Sequence, residues 1–187
     1  GFVGGGEGGA SGPSACPVVV DADGLNALAE LGNWHQKITG PCVLTPHPGE
    51  MARLMGCGTA DVQGDRWGVA LRAAQEWGKI VVLKGAHTVV ASPDGQAAVS
   101  PFANPALATA GTGDVLAGII LALLGQRLPP FEAAVLGVYV HAMAGELAAG
   151  QTGASGLAAG DLLRWIPVAM ARLRGDPVVQ GFVDLIL

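Results

Sequence analysis

Ile80-Val81-Val82-Leu83-Lys84-Gly85-Ala86-His87-Thr88 is the stretch on which the reading of the fold turns. Four apolar residues in a row, without alternation, predict a short strand buried on both faces. The polar residues behind them predict a loop at the strand's carboxyl end. The same arrangement occurs twice upstream. Val18-Val19-Val20 runs into Asp21, Asp23 and Asn26, and Cys42-Val43-Leu44 runs into Thr45-Pro46-His47-Pro48 and Glu50.

Helical spacing fills the intervals. Leu25 to Leu31 is one such segment. Gly49 to Met55 is another, with Pro48 suited to its first turn. Thr59 to Trp77 predicts one longer amphipathic helix, with Val62, Trp67, Ala70, Leu71, Ala74 and Trp77 facing inward. Thr88 to Ala91 and Gln96 to Val99 predict two more strands, joined as a hairpin by Pro93-Asp94-Gly95. Helices are then expected from Val115 to about Gly125, from Phe131 to Ala149 and from Ala159 to Arg174. Strands alternating with helices predict an α/β fold, a mostly parallel sheet flanked by helices. Residues 1–17 are rich in glycine and have no periodicity, so they read as a loop or linker. The run from Gly4 to Gly9 lacks the Lys-Ser/Thr that would complete a P-loop. Residues 18–187 read as one domain.

Composition excludes several classes. Half of the 187 residues are hydrophobic and only 13% are charged, which argues against disorder. The net charge is −5 and no basic stripe is present, so nucleic acid is not an expected partner. Glu132, His141 and Glu146 interrupt the apolar stretch Phe131 to Ala149, which reads as a buried helix rather than a membrane span. Cys16, Cys42 and Cys57 are odd in number, widely spaced and form no CxxC pair. Reduced thiols and a cytoplasmic location are the expectation. No signal peptide is visible. The Ala- and Gly-rich helices suit a homo-oligomer.

Ligands of open α/β sheets bind beyond the carboxyl ends of the strands, so the three polar tails point to one crevice. Gly111-Thr112-Gly113-Asp114 carries the strongest local signal. Its glycines allow close backbone approach, and the helix behind it aims free amides and a positive dipole end at the same place. Asp114 is either a base on a substrate hydroxyl or a helix cap. Lys84 to Thr88 is either an anion-binding turn or a plain strand turn with Lys84 exposed. His47, fixed between two prolines, is a ligand contact or a loop histidine. Glu50 is a helix cap or a metal contact through water. Asp21 and Asp23 are a magnesium pair, or a strand-end carboxylate and a helix cap. His141 reads as a packed core histidine and His35 as a surface one.

Four segments occur in the order found in the ADP-dependent NAD(P)H-hydrate dehydratases. They are Val20-Asp21-Ala22-Asp23-Gly24-Leu25-Asn26, Thr45-Pro46-His47-Pro48-Gly49-Glu50-Met51, Leu83 to Thr88, and Asn104-Pro105-Ala106-Leu107-Ala108-Thr109-Ala110-Gly111-Thr112-Gly113-Asp114-Val115-Leu116. From roughly Val18 to Trp165 the chain resembles that family, part of the ribokinase-like superfamily. The His47-x-x-Glu50 spacing resembles the dehydratases, where related kinases tend to have Asn-x-x-Glu. Hydroxyethylthiazole kinases are similar near the glycines but usually place Cys at the position of Asp114.

The resemblance implies a ribokinase-like fold and a repair activity. Hydrated NADH or NADPH would lose its water at the expense of ADP, or of ATP, with Mg2+ present. Asp114 would be the catalytic base. His47, Asn104 and Asp114 would bind the hydrate. Lys84, Gly85, Ala86, His87, Thr88, Gly111, Thr112 and Gly113 would bind the nucleotide, and Glu50 would support the metal through water. Members of the family have a longer stretch before the segment at Asp21. The resemblance therefore implies a chain lacking part of the N-terminal portion of the domain. Ala103, Ala106 and Ala110 stand where glycine is common, small changes expected to be tolerated. The competing readings are a small-molecule kinase of the same fold and a non-catalytic nucleotide-binding remnant.

Overall fold

The computed structural model describes residues 16–153 and 156–175; the expected glycine-rich loop or linker at 1–17 lies, but for its last two residues, outside them. Three strands form the parallel part of the sheet: β1 (Val18–Val20), β2 (Cys42–Leu44) and β3 (Ile80–Leu83). β4 (Val89–Ala91) and β5 (Ala97–Val99) continue it antiparallel, giving the linear order β1-β2-β3-β4-β5. The hairpin turn at Asp94 is held by its own carboxylate, which accepts from the Gln96 amide at 3.2 Å.

Period-two geometry sends alternate side chains of each strand to opposite faces. Val81 and Leu83 enter one core with Leu25, Leu44, Met51 and Trp77. Ile80 and Val82 enter the other with Val43, Leu116, Ile120 and Val138. Burial on both faces is why these strands read as continuous apolar runs.

The first core is covered by α1 (Ala22–Glu30), a short α2 (Trp34–Lys37), α3 (Pro48–Met55), α4 (Thr59–Gly64) and α5 (Arg66–Trp77). The second lies under α6 (Thr112–Gly125) and α7 (Pro130–Thr152), with α8 (Ala159–Gly175) packed outside α7. A 3₁₀ turn, Pro105–Ala108, precedes α6. α7 has the length and apolarity of a membrane span. Its Ala133, Ala134, Val138, Val140, Ala144 and Ala148 are nevertheless buried in this fold.

Two expectations need correction. The single helix expected over Thr59 to Trp77 is two helices, broken at Asp65. The Asp65 carboxylate accepts from the Gly68 amide at 2.8 Å, offering the chain a cap in place of continued helix. Trp67, expected to face inward, is 46% exposed, because the break resets the face that α5 presents to the core. The short helix α2 and the 3₁₀ turn carry too little periodicity to be read from sequence.

Candidate functional site

The carboxyl ends of β1, β2 and β3 deliver Asp21, the segment His47 to Glu50, and Lys84 to one place. Asp21 stands at the cap position of α1 but makes no side-chain cap bond. Its carboxylate instead accepts from Lys84 Nζ at 2.6 Å. Glu50 Oε2 lies 3.8 Å from the same ammonium. Lys84 is therefore not the exposed lysine of a plain strand turn, and Asp21 is a strand-end carboxylate engaged by a cation. Asp23, within the first turn of α1, is exposed.

His47 and Glu50 form a reciprocal cap on α3. His47 Nδ1 accepts from the amides of Gly49 at 3.0 Å and Glu50 at 3.3 Å, while Glu50 Oε2 accepts from the His47 amide at 2.7 Å. An accepting Nδ1 leaves the proton of a neutral imidazole on Nε2. That nitrogen sits 3.5 Å from Glu50 Oε1 on a side chain that is mostly exposed, so it has a donor to offer a ligand.

α6 begins at the glycine pair. Gly111 occupies the left-handed region at φ +86°, turning the chain into the helix. Thr112 Oγ1 lies 2.6 Å from Leu107 O and 2.8 Å from Thr109 O, spending its hydroxyl on the approach loop. Behind it, His141 Nε2 meets Thr112 O at 2.9 Å. With a carbonyl as partner, Nε2 must be the donor. Burial pushes the His141 imidazole down to about 4, against the Thr112 bond and helped by the nearby Lys84 charge, so it is neutral. The Thr112 amide bonds Thr109 O, and the Val115 amide bonds Gly111 O. Among the described residues the amides of Gly113 and Asp114 have no carbonyl partner, as expected in a first helical turn. The Asp114 carboxylate is exposed and makes no hydrogen bond among the described residues, which sets aside the helix-cap reading.

Lys84, Gly85, Ala86 and Thr88 share a cavity of about 230 Å³ with Thr112 and Gly113. That is several times the volume of a water molecule, room for part of a small ligand. A Cβ on Gly113 would lie 3.4 Å from Lys84 Nζ and 3.5 Å from Asp21 Oδ2, which puts the strand-end cluster at the cavity's edge. Asn104 also lines the cavity, but its Oδ1 accepts from the Ala106 amide at 2.9 Å and caps the 3₁₀ turn. Two expected nucleotide contacts stand outside the wall. His87 turns away to meet Ser100 O through Nδ1 at 3.1 Å, and Gly111 lies behind the wall as a backbone hinge. Asp114, next after Gly113 in the chain, and His47 are likewise not among the residues that line the cavity.

Sequence reasoning missed four participants. Ser100, Phe102 and His141 line the cavity, and Arg66 holds the turn after β3 from behind. Nothing marks the first two, which come from the loop after β5. His141 is buried as expected, yet it also braces the glycine loop.

Comparison with known proteins agrees with this arrangement. Residues 13–168 match the family model described as NAD(P)H-hydrate dehydratase. The chain is 53% identical over 160 residues to a bifunctional NAD(P)H-hydrate repair enzyme of Moorella thermoacetica, covering 86% of this chain and 30% of that one. It is 45% identical over 156 residues to the ADP-dependent (S)-NAD(P)H-hydrate dehydratase of Neisseria meningitidis serogroup B, covering 80% of this chain and 53% of that one. The crystal structure of the ADP/ATP-dependent NAD(P)H-hydrate dehydratase of Bacillus subtilis, co-crystallised with ATP and Mg2+ and soaked with CoA, superposes with a TM-score of 0.76. Identity to it is 39%, covering 84% of this chain and 56% of that one. The chain thus spans about a third to a half of the relatives it matches. A hydroxyethylthiazole kinase of Pyrococcus horikoshii, at 18% identity and a TM-score of 0.58, shares the fold.

Proposed function

Because the chain belongs to the NAD(P)H-hydrate dehydratase family, we propose that it serves in returning hydrated NADH or NADPH to the reduced dinucleotide at the expense of ADP or ATP. One observation carries the reading. The turn at 84–88 and the loop-to-helix junction at 112–113, far apart in sequence, line one cavity at the carboxyl ends of the strands.

Hydroxide is a poor leaving group, and the chemistry converts it into a good one. The terminal phosphoryl of the nucleotide passes to the hydrate hydroxyl, whose proton goes to Asp114. The carbon–oxygen bond then breaks as the ring nitrogen's lone pair expels phosphate. Loss of a proton from the neighbouring carbon restores the ring double bond. The products are reduced dinucleotide, inorganic phosphate and the nucleotide shortened by one phosphate. An Asp114 carboxylate with no competing hydrogen bond suits the role of base. The unpaired amides of Gly113 and Asp114, at the positive end of α6, suit the charge of the transferring group. Lys84 would exchange part of its contact with Asp21 for a phosphate oxygen. The Nε2 proton of His47 would orient the hydrate, and the amide nitrogen of Asn104, which has no partner among the described residues, would line its pocket.

Among the described residues no group of three or more His, Cys, Asp or Glu side chains could hold a metal ion. Glu50 would support, through water, a magnesium ion brought in with the nucleotide, and that ion's charge would offset the charge of the phosphates. A cytosolic setting accords with three cysteines that are all free thiols.

The test is recovery of the reduced-nicotinamide absorbance from NADH hydrate with ADP and Mg2+. Recovery that requires ADP and falls by about a thousandfold or more in Asp114→Ala is the expected result. No recovery by the folded chain, or full activity in Asp114→Ala, would remove the proposal.

A further inference from the structure

Arg66 is the first residue of α5 and lies outside the cavity wall. Its guanidinium reaches back to the turn after β3. Nη2 donates to Leu83 O at 3.0 Å and to Lys84 O at 3.2 Å, and Nη1 donates to Ala86 O. Three carbonyls of a four-residue segment thus face one cation, in the planar fork that only arginine presents. Its Nε is buried and has no partner among the described residues, so the carbonyl contacts at the fork end fix where the group sits.

A trans peptide sets its N–H opposite its C=O. Turning the Lys84 carbonyl toward Arg66 therefore turns the Gly85 amide away from it. Thr88 treats the next peptide the same way: its Oγ1 donates to Gly85 O at 3.0 Å, which turns the Ala86 amide away from that hydroxyl. Neither amide has a hydrogen-bond partner among the described residues, and both residues line the cavity. The amides on either side are spent, Lys84 on Pro46 O at 2.8 Å and His87 on Phe102 O at 3.0 Å. Between those two spent amides the turn holds back the Gly85 and Ala86 donors, both beside the cavity. Gly85 makes this possible. It sits at φ +144°, and a Cβ there would come within 2.8 Å of Arg66 Nη2.

We infer that Arg66 is a positioning residue, which holds the carbonyls of the turn so that the Gly85 and Ala86 amides are fixed in advance as donors to the bound nucleotide. It acts through the turn and does not touch the ligand. Donors fixed before binding spare the nucleotide the cost of ordering them. The inference rests on the reading of the cavity as an adenine-nucleotide site.

Calorimetric titration of the full chain with ADP tests it, using wild type, Arg66→Lys and Arg66→Ala. Wild type is expected to bind. Arg66→Ala should bind about ten- to a hundredfold more weakly, as for lost charge-assisted hydrogen bonds. Arg66→Lys should lie between, and free guanidinium should restore part of the loss in Arg66→Ala. In turnover, Arg66→Lys should raise the KM for ADP and not that for the hydrate. A thermal melt identifies any variant that fails to fold, and Arg66→Lys carries the test if Arg66→Ala does. Folded variants that bind ADP as tightly as wild type, or equal rises in both KM values, would overturn the inference. Wild type that binds no ADP would overturn the reading of the cavity, and this inference with it.

Discussion

His141 joins stability to the site through one hydrogen bond. It is 8% exposed, neutral, and donates to the carbonyl of Thr112 at the start of α6. Its pKa falls from 6.5 to about 4 on folding. The unfolded chain takes up this proton as pH drops through 6.5, whereas the folded chain resists until about 4. Stability is therefore lost as pH falls through that window. From pH 7 to pH 5 this one group should cost about 2 kcal/mol, and His141→Gln should abolish that part of the slope. Urea denaturation at the two pH values measures it. Which residues were legible follows from the same physics. Gly111 to Asp114 and Lys84 to Thr88 are contiguous, and short segments that bind ligands with their backbones carry a signature in order and spacing. The Lys84–Asp21 pair spans 63 residues and Arg66's grip on Lys84 spans 18, so only folding brings each pair together.

At the scale of elements, three strands were read with their observed bounds because each is an apolar run buried on both faces. Helix interiors were as plain, and their joints were not. The break at Asp65 depends on a side chain's choice between a cap and a helical turn, and the pattern on either side is compatible with both. Contact between helices was also invisible. On α7, a Cβ at Gly137 would lie 2.6 Å from Ile120 Cγ1 and 3.5 Å from the Ile120 backbone, so the glycine lets α7 lie against α6. Gly137→Ala should destabilise the fold by about 1–3 kcal/mol through overpacking, despite alanine's better helix propensity. The midpoint of urea unfolding reports it. An unchanged midpoint would mean that α6 can shift aside without cost.

Across the whole molecule, the site is made where the ends of the three parallel strands meet the start of α6. β1 contributes Asp21, β2 the His47–Glu50 cap, β3 the Lys84 turn, and α6 the unpaired amides. The general crevice was legible, since polar tails on successive strands of a parallel sheet must converge. The far wall was not: Ser100 and Phe102 come from the irregular stretch after β5, where no periodicity says which way a side chain turns. The central claim is that the turn after β3 and the start of α6 form a single nucleotide site. A photoactivatable azido analogue of ADP, cross-linked to the chain and located by mass spectrometry, tests it most directly. The account predicts attachment within 84–88, 100–108 or 112–116, suppressed by excess unlabelled ADP; attachment elsewhere, or attachment that ADP does not suppress, would contradict it.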